Sequence, residues 1–487
     1  MQIHLPDGRE TVTVLCEPGE TILAALRRAG LSPAAPCGGE GRCGGCRVRL
    51  LKGTVSGEPT APDGTVRACR AVPNEDVTVA WQKETLPVLP FLDDCDAVLD
   101  LGTTTMVLSL YERKTGRFLP PVSVHNPQRS YGADVAARIS AAAAFGIRAL
   151  SDPVAEVICA LLVNSRPHRL FVCGNPTMTA LFLRMDPSPI GTAPYRTPQS
   201  ETLRLAGEEL GIPAEQIIVP APVSAYFGSD AICAVMAADP EPQTLLLDVG
   251  TNTELCYYGR TGYFAATAPA GPAMEGGGIR YGVGGVPGAV FRAYCDGDRI
   301  RVRTVGDAPI RGIAASGLCD LCAALCRLGA LTDEGHLSPD PYPVGNGVTL
   351  SGEDVRAFLL AKGAIRAAAD LLPARDGSTP QKLLLTGGGG THLRVESARE
   401  TGLLQDGIPA ASAENLAFAG LCRFPENTEE TLARYEEIRR AVTVVDLTAA
   451  EDFTPTFLER LTFPHAMKRI RNAEFGIRNS EKTKRKY

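Results

Sequence analysis

The sequence predicts an α/β protein of two similar lobes, preceded by a small α+β module. Two copies of one pattern predict the lobes: an apolar run ends in an acidic residue followed by Gly-Thr, at Asp100 and again at Asp248, and the chain then enters a second apolar run. A cysteine-rich loop that follows a hairpin and a helix near the N-terminus predicts the separate module.

The turn after each acidic residue has the composition of a phosphate-binding turn. The second copy reads Asp248-Val-Gly-Thr-Asn-Thr-Glu254, and the first reads Asp100-Leu-Gly-Thr-Thr-Thr105. Gly250 lets the backbone approach an anion, and Asp248 can hold a metal ion or its water. A lone copy would more often be an ordinary β-hairpin. Two copies predict lobes that face each other across a nucleotide and each contribute one turn to its phosphates.

A third element follows late in the chain. The apolar run Lys382-Leu-Leu-Leu-Thr386 enters four glycines, which suit close packing against a base or ribose. In this order, the three elements resemble the superfamily of acetate kinase, sugar kinases, Hsp70 and actin, in which two phosphate motifs and an adenosine motif surround Mg-ATP. The resemblance implies a two-lobed, RNase H-like ATPase core.

Composition narrows the function classes. The 487 residues suffice for about three domains. A net charge of -6 argues against nucleic acid or an anionic membrane as the main partner. The N-terminus has no apolar signal region, and no apolar run reaches the length of about 18 residues that spans a bilayer. We therefore expect a cytoplasmic protein, whose 15 cysteines are ligands or buried thiols rather than disulfides.

Residues 1–83 are predicted to form the small module, and its four cysteines to hold a cluster. Cys37, Cys43, Cys46 and Cys69 have the spacing C-x5-C-x2-C-x22-C. Three thiolates on one glycine-rich loop and a fourth far along the chain are typical of [2Fe-2S] ligation. Zinc is the alternative, although two matched CxxC knuckles are its commoner arrangement. The loop resembles that of adrenodoxin-like ferredoxins, which implies a β-grasp, ferredoxin-like fold.

The remaining boundaries follow from composition. Residues 84–96 are predicted to be a proline-containing linker, 97–240 ATPase lobe I, 241–465 ATPase lobe II and 466–487 a basic tail. In lobe I, Asp134 and Arg138 are four residues apart and would share a helix face as a surface ion pair.

Two features of lobe II carry alternatives. Glu275 lies in a glycine-rich segment. This segment is either a plain flexible loop, or it uses Glu275 or its neighbours to orient an attacking water. Cys319, Cys322 and Cys326 have the spacing of one helical face. A second metal cluster is conceivable there, but the surrounding Ala and Leu favour buried thiols in a core helix.

Taken together, the motifs resemble the reductive activators of corrinoid proteins. The ferredoxin-like module is followed by DLGTTT, Asn126-Pro-Gln, Tyr131-Gly-Ala-Asp134, a Gly-Asn turn, DVGTNTE, Ala270-Gly-Pro-Ala-Met-Glu275 and GGGG. The resemblance implies ATP-dependent reduction of a Co(II) corrinoid to Co(I), with the electron passing through the [2Fe-2S] cluster and ATP hydrolysis coupled to electron transfer. Only 30 residues separate Cys69 from Asp100, where members of the family carry a longer segment.

The resemblance also implies the site residues and partners. The implied catalytic residues are Asp100, Asp248 and Glu275, and the implied nucleotide-binding residues are Gly102, Thr103, Thr104, Gly250, Thr251, Asn252, Gly387, Gly388 and Gly389. ATP, Mg²⁺ and the cluster are the implied cofactors. The implied partners are the corrinoid protein of a methyltransferase system and an upstream low-potential reductant, and a homodimer is compatible with the resemblance.

Three rival functions stay open. An ATP-driven donor to another low-potential acceptor, as in the activators of 2-hydroxyacyl-CoA dehydratases, would have a similar core, but those proteins carry their cluster at a subunit interface. A small-molecule kinase has no task for a fused redox cluster. A non-catalytic redox and nucleotide sensor would bind ATP without any partner-stimulated reduction.

Overall fold

The computed structural model describes residues 1–7, 10–29, 31, 33, 35, 39, 41, 46–81, 86–447 and 449–464. The chain forms two compact units, of which the first contains Met1–Ala237 together with Ala417–Arg440. The second contains Ala238–Leu416 and the residues from Ala441 onward. Two predicted cluster ligands, Cys37 and Cys43, and the predicted basic tail lie outside the described residues.

The N-terminal module is a mixed sheet packed on one helix. Its helix α1 spans Ile22–Arg28, and its strands are β1 Gln2–Asp7, β2 Glu10–Leu15, β3 Arg47–Lys52, β4 Val55–Ser56, β5 Thr65–Arg67, β6 Val72–Pro73 and β7 Val77–Ala80. The sheet order is β2-β1-β7-β3-β5, with β1 and β7 parallel. The helix begins at Ile22 because the Thr21 hydroxyl accepts a hydrogen bond from the Ala24 N–H at 3.3 Å. This arrangement confirms the ferredoxin-like α+β module.

Lobe I is built on a second mixed sheet. Its strands are β8 Cys95–Leu101, β9 Thr105–Glu112, β10 Arg117–Phe118, β11 Val122–His125, β12 Arg169–Gly174, β13 Leu203–Ala206 and β14 Gln216–Val219. Its helices are α2 Val135–Phe145, α3 Ile147–Leu161, α4 Pro176–Phe182, α5 Ser188–Gly191, α6 Gly207–Leu210 and α7 Ser229–Ala238, with a 3-10 helix at Pro127–Ser130. The sheet order is β10-β9-β8-β12-β14-β13, and β11 pairs with β9. Strand β8 is antiparallel to β9 and parallel to β12.

Lobe II repeats that pattern. Its strands are β15 Thr244–Val249, β16 Thr253–Tyr258, β17 Tyr263–Ala268, β18 Ala289–Asp296, β19 Arg299–Thr304, β20 Gly312–Ile313, β21 Tyr342–Gly345, β22 Val348–Leu350, β23 Lys382–Thr386, β24 Ala410–Ser412 and β25 Val442–Val444. The main sheet has the order β24-β23-β15-β16-β17-β25, with β15 antiparallel to β16 and parallel to β23. The two sheets therefore confirm the two similar lobes that the repeated motif predicts.

The remaining elements are mostly helical. They are α8 Ala315–Leu328, α9 Gly352–Ala374, α10 Gly387–Gly390, α11 Val395–Glu400, α12 Leu416–Leu421, α13 Thr428–Ala441 and α14 Phe453–Glu459, with 3-10 helices at Pro272–Glu275 and Val305–Asp307. Among the helices of the described ranges, none has the length and apolar character needed to cross a membrane.

The division of the chain differs from the predicted one at residues 417–440, here called the return segment. The sequence places it in lobe II, whereas the structure packs it into the first unit. Arg169 explains this, because it binds buried Asp96 with two nitrogens at 3.0 and 2.5 Å and also donates to the Thr428 hydroxyl at 2.5 Å. The other predicted boundaries stay predictions.

Candidate functional site

The first phosphate loop, residues 100–105, joins β8 to β9 and is held from behind through its carbonyl groups. Asn126 donates from its side chain to Gly102 O and from its backbone to Thr104 O, both at 2.9 Å. Arg138 Nη2 donates to Thr103 O at 2.5 Å. In a trans peptide the N–H points opposite to the preceding C=O. The amides of Thr103 and Thr104 therefore face away from Asn126 and Arg138, which is the orientation of an anion-binding loop.

Gly102 is required in this loop for a steric reason. A Cβ atom at this position would lie 2.6 Å from the carbonyl oxygen of Thr105. Side chains essentially never approach a backbone oxygen that closely, so a larger residue would force the loop open. The tight turn and the carbonyl bonds together fix the path of the loop.

Arg138 is a buried support of the first loop rather than half of a surface ion pair. Its side chain is 0% exposed, and it also donates to Gly132 O and to Gln128 Oε1, both at 3.2 Å. Asp134 instead accepts from the Ala137 N–H at 2.7 Å and caps the start of α2. The predicted surface pair is therefore wrong, because carbonyl acceptors inside lobe I compensate the buried guanidinium.

Asn175 supports the same loop from the end of β12. Its side-chain oxygen accepts from the Met178 N–H at 3.0 Å and caps α4, and its side-chain nitrogen donates to the Thr103 hydroxyl at 2.8 Å. The sequence places Asn126, Arg138 and Asn175 in motifs of the resemblance, and of these only the turn at Asn175 is a candidate to approach the nucleotide or else to close a strand. Their position after the first acidic turn is the signal that the sequence offers for the other two.

Asp100, the penultimate residue of β8, lies directly beside Cys173 of β12. The two residues are paired in register, and Cys173 Sγ lies 4.0 Å from Asp100 Oδ1. Burial raises the pKa of Cys173 well above its usual value, and hydrogen bonding to the Cys233 thiol adds to the shift. Nearby Asp100 and Asp230 also contribute to raising the pKa of this thiol.

The second phosphate loop, residues 248–253, joins β15 to β16 and is held by Glu275. Thr251 donates its backbone N–H to Glu275 Oε1 at 3.2 Å and its hydroxyl to Oε2 at 2.8 Å. A Cβ atom on Gly250 would lie only 3.0 Å from Glu275 Oε1. Glu275 thus positions the loop, and its predicted orientation of an attacking water stays a prediction. Asn252 is the half-buried residue that follows Thr251.

The glycine run, residues 387–390, packs directly on the second loop. Gly387 has a positive φ of 81°, and a Cβ there would lie 2.1 Å from Asp248 Oδ1. A Cβ on Gly389 would lie 2.6 Å from the Met274 carbonyl, next to Glu275. A Cβ on Gly388, by contrast, would meet no atom within 4 Å. The structure therefore brings Asp248, the glycine run and the Glu275 segment together within lobe II.

Two of the four predicted cluster ligands are described, and they lie close together. The Cys46 carbonyl accepts from the N–H of Ala68, the neighbour of Cys69, at 3.0 Å. Gly39, which lies between the other two cysteines in sequence, approaches the same place: a Cβ built on it would be 3.8 Å from Cys69 Cβ. This pair of thiols beside the glycine loop fits the donor set of an iron–sulfur cluster.

An ion pair braces the cysteine loop. Arg67 binds Glu58 with two nitrogens at 2.6 and 2.8 Å and also donates to the Gly41 carbonyl. Hydrogen bonding to Arg67 is the main cause that lowers the pKa of Glu58. Gly41 has a positive φ of 80°, a conformation that favours glycine at this position.

Two of the three cysteines of α8, Cys319 and Cys322, are buried thiols, as predicted, and Cys326 is half-buried. Cys319 and Cys322 are fully buried, and burial raises the pKa of Cys319 and of Cys326 to about 12. Within the described part of the chain, no group of three or more His, Cys, Asp or Glu side chains is placed to hold a metal ion. The alternative of a second cluster on α8 therefore finds no support. Cys95 opens β8, and burial raises its pKa to about 11.

Three family models match the chain in consecutive segments. The 2Fe-2S iron-sulfur cluster binding domain matches residues 5–74, the RACo middle region matches 95–241, and the C-terminal ASKHA domain of RACo matches 242–474. The two RACo models together cover more than three quarters of the sequence.

Curated relatives and one solved structure agree with these models. The corrinoid activation enzyme RamQ of Eubacterium limosum is 26% identical over 412 residues, which is 75% of this chain and 69% of the relative. A reductase of the Co(II) methylated amine-specific corrinoid protein from Methanosarcina barkeri is 26% identical over 351 residues, 62% of this chain and 64% of the relative. The chain thus spans about two thirds of the length of these relatives. A solved reductive activator for corrinoid, iron-sulfur protein has a TM-score of 0.68 at 21% identity, covering 96% of this chain and 98% of that one.

Proposed function

The chain belongs to the RACo family of reductive activators of corrinoid proteins, and from that premise we propose that it uses ATP to reduce the Co(II) corrinoid of a methyl-transfer protein to Co(I). The observation that carries the proposal is the combination, in one chain, of a cysteine site on a ferredoxin-like module with two phosphate-type loops. Either feature alone would fit a simple electron carrier or a simple ATPase. Their combination fits an ATP-driven reductase.

The nucleotide site is proposed to use the residues that the two lobes hold in tight turns. Gly102, Thr103 and Thr104 would bind phosphate from lobe I, and Gly250, Thr251 and Asn252 from lobe II. Asp100 and Asp248 would hold Mg²⁺ through carboxylate oxygens or its waters, since Mg²⁺ prefers one or two carboxylates beside substrate phosphates. The open space at Gly388, between the two sterically closed positions Gly387 and Gly389, supports a close approach of adenosine.

The cysteine site is proposed to hold the redox group. A [2Fe-2S] cluster bound by Cys37, Cys43, Cys46 and Cys69 supplies a one-electron carrier, whose potential in plant-type ferredoxins is about -400 mV. Arg67 and Glu58 keep the loop in place by the two-nitrogen ion pair and the bond to Gly41 O. Reduction of a Co(II) corrinoid is expected to need a stronger driving force than that potential provides. ATP is proposed to supply this additional driving force.

One way in which ATP can contribute to the drive is differential binding. A nucleotide that binds one conformation of the protein more tightly shifts the population toward it, by no more than that difference in affinity. The side chains of Asn126, Arg138 and Asn175 hold the first loop in one defined path, so a nucleotide at this loop meets a preformed conformation. We also propose that an upstream low-potential reductant supplies the electron. We further propose that the protein is a homodimer, which sedimentation of the purified protein would test.

The test is an anaerobic absorbance experiment. The reduced protein is mixed with a Co(II) corrinoid protein encoded in the same genome neighbourhood, in the presence of Mg-ATP, of Mg-AMPPNP or of no nucleotide. Formation of Co(I) with Mg-ATP, but not with Mg-AMPPNP or without nucleotide, supports the proposal. Equal Co(I) with AMPPNP would show that binding suffices and hydrolysis does not drive the reaction. Failure to form Co(I), with cluster and ATP binding intact, would favour the sensor or another acceptor.

A further inference from the structure

Arg27, on the helix of the ferredoxin-like module, reaches into lobe I. Its guanidinium donates from Nη2 to the Ser130 carbonyl and lies 5.3 Å from the ring centroid of Tyr131 and 6.0 Å from that of Phe145. The two rings lie 5.7 Å apart, and Arg27 is only 9% exposed. A cation held against two ring faces and a carbonyl is a specific, largely desolvated contact.

The same guanidinium also lies near the cysteine loop. A Cβ built on Gly39 would lie 3.5 Å from Arg27 Nη1 and 3.8 Å from Cys69 Cβ. Gly39 has a positive φ of 103°, so the loop can pass between Arg27 and Cys69 only as glycine. Arg27 thus lies near Gly39 of the cysteine loop on one side and contacts Ser130 and Tyr131 of lobe I on the other.

On the lobe I side, Ser130 belongs to the structure that holds the first phosphate loop. It ends the 3-10 helix Pro127–Ser130, which begins because Asn126 Oδ1 accepts from the Gln128 N–H at 2.9 Å. Asn126 also donates to Gly102 O, and Gln128 Oε1 accepts from Arg138, the residue bound to the Thr103 carbonyl. A short set of contacts therefore runs from Arg27, near the cysteine loop, to the first phosphate loop within one unit.

We propose that Arg27 is a positioning residue that couples the cysteine loop to the first phosphate loop, so that nucleotide binding and cluster reduction alter each other's equilibrium. Reduction would add one negative charge at the cluster site near the guanidinium and so change how strongly Arg27 is held against Ser130 and Tyr131. By linkage, reduction must then change nucleotide affinity by the same factor by which nucleotide changes the reduction equilibrium. This inference rests on the proposed function for its two ligands.

The test measures nucleotide affinity in two redox states. The full-length protein is titrated anaerobically with Mg-AMPPNP by calorimetry, once with the cluster oxidised and once after one-electron reduction by dithionite. We expect the two Kd values of the native protein to differ by about fivefold or more, the lower end of typical allosteric coupling. In Arg27→Met the ratio should fall to within about twofold of unity, while the oxidised-state Kd and the [2Fe-2S] absorbance stay as in the native protein.

Arg28→Ala is the matched control. Arg28 is the next residue on the same helix, pairs with Glu20 at 2.8 Å and has a half-exposed side chain. Its removal should keep the full redox dependence of Kd. Tyr131→Leu removes one ring face while keeping the Arg27 charge, and it should reduce the ratio even if Arg27→Met fails to fold.

Two results would overturn the inference. One is a native protein whose Kd for AMPPNP is the same in both redox states, and the other is an Arg27→Met or Tyr131→Leu protein that keeps the native ratio. The experiment contains no corrinoid. Its failure is therefore distinguishable from failure of the proposed function, which is read as absence of Co(I).

Discussion

Replacing Gly388 by alanine tests whether the glycine run contacts the nucleotide, and Gly387→Ala provides the contrast. The two glycines are neighbours, but a Cβ on Gly388 meets no atom within 4 Å, whereas a Cβ on Gly387 lies 2.1 Å from Asp248 Oδ1. The first change therefore adds a methyl group to open space, and the second adds it to the protein interior.

The structure gives opposite expectations for stability. At Gly387 the positive φ of 81° costs an alanine about 1–2 kcal/mol, and the displaced Asp248 carboxylate adds to that cost. At Gly388 the backbone lies in a helical turn, where alanine is favoured over glycine by roughly 0.5–1 kcal/mol. Gly388→Ala should therefore leave the thermal midpoint unchanged or slightly raised, and Gly387→Ala should lower it.

The effect of Gly388→Ala on nucleotide affinity should differ from its effect on stability. If adenosine packs against Gly388, the added methyl occupies its place, and the Kd for Mg-AMPPNP should rise at least about tenfold, equivalent to about 1.4 kcal/mol. Calorimetric titration of each variant, beside its unfolding curve, separates the two effects. A Gly388→Ala protein of native stability that binds AMPPNP with native affinity would refute the assignment of the glycine run to adenosine.

Three further predictions address the cluster, the nucleotide and a buried lysine. Cys46→Ser should abolish the [2Fe-2S] absorbance and lower the iron content. Replacement of the buried Cys16, which is outside the ligand set, should change neither. Unchanged iron content in the Cys46 variant would reject the ligand assignment. Asp248→Ala should remove ATP-dependent Co(I) formation while the cluster spectrum stays intact, and surviving activity would disprove the phosphate-site assignment. Burial lowers the pKa of Lys362 from 10.5 to about 7, so above pH 7 the unfolded state binds more protons than the folded state, and this residue makes stability rise with pH by up to about 1.4 kcal/mol per unit. Chemical denaturation of the native and Lys362→Met proteins between pH 7 and 8.5 measures the difference in slope, and identical slopes would contradict the lowered pKa.

Local signals in the sequence were sufficient for the fold class and the phosphate loops. The pattern of apolar strand, acidic residue, Gly-Thr and second strand is complete within about 15 residues at each copy, and it predicted the β8–β9 and β15–β16 hairpins. The cysteine spacing likewise identified a ferredoxin-like module from a single loop and one distant residue. Each of these signals depends on residues close together in the chain.

What the sequence did not predict depends on distant partners. Strand β14 lies in a proline-rich region, and its parallel pairing with β12 joins segments far apart in sequence, which no local pattern reveals. The burial of Arg138 follows from the carbonyl of Thr103, 35 residues away, and no helical periodicity reveals such a partner. The packing of the return segment depends on contacts between residues still farther apart in sequence. One of them is the hydrogen bond from the Tyr435 hydroxyl to the Ala221 carbonyl, 214 residues away.

The return segment has a consequence for biosynthesis. The ribosome makes residues 238–416 between the two parts of the first unit, which at ordinary elongation rates takes on the order of 10 to 40 s. During that time Phe171 lacks the ring of Phe424, which packs 5.7 Å from it in the finished protein, and Arg169 lacks Thr428. The N-terminal half of the nascent chain therefore keeps an uncovered apolar surface until a chaperone or its own C-terminal part covers it. For the same reason, a fragment ending at residue 240 should be a poor substitute for the isolated lobe.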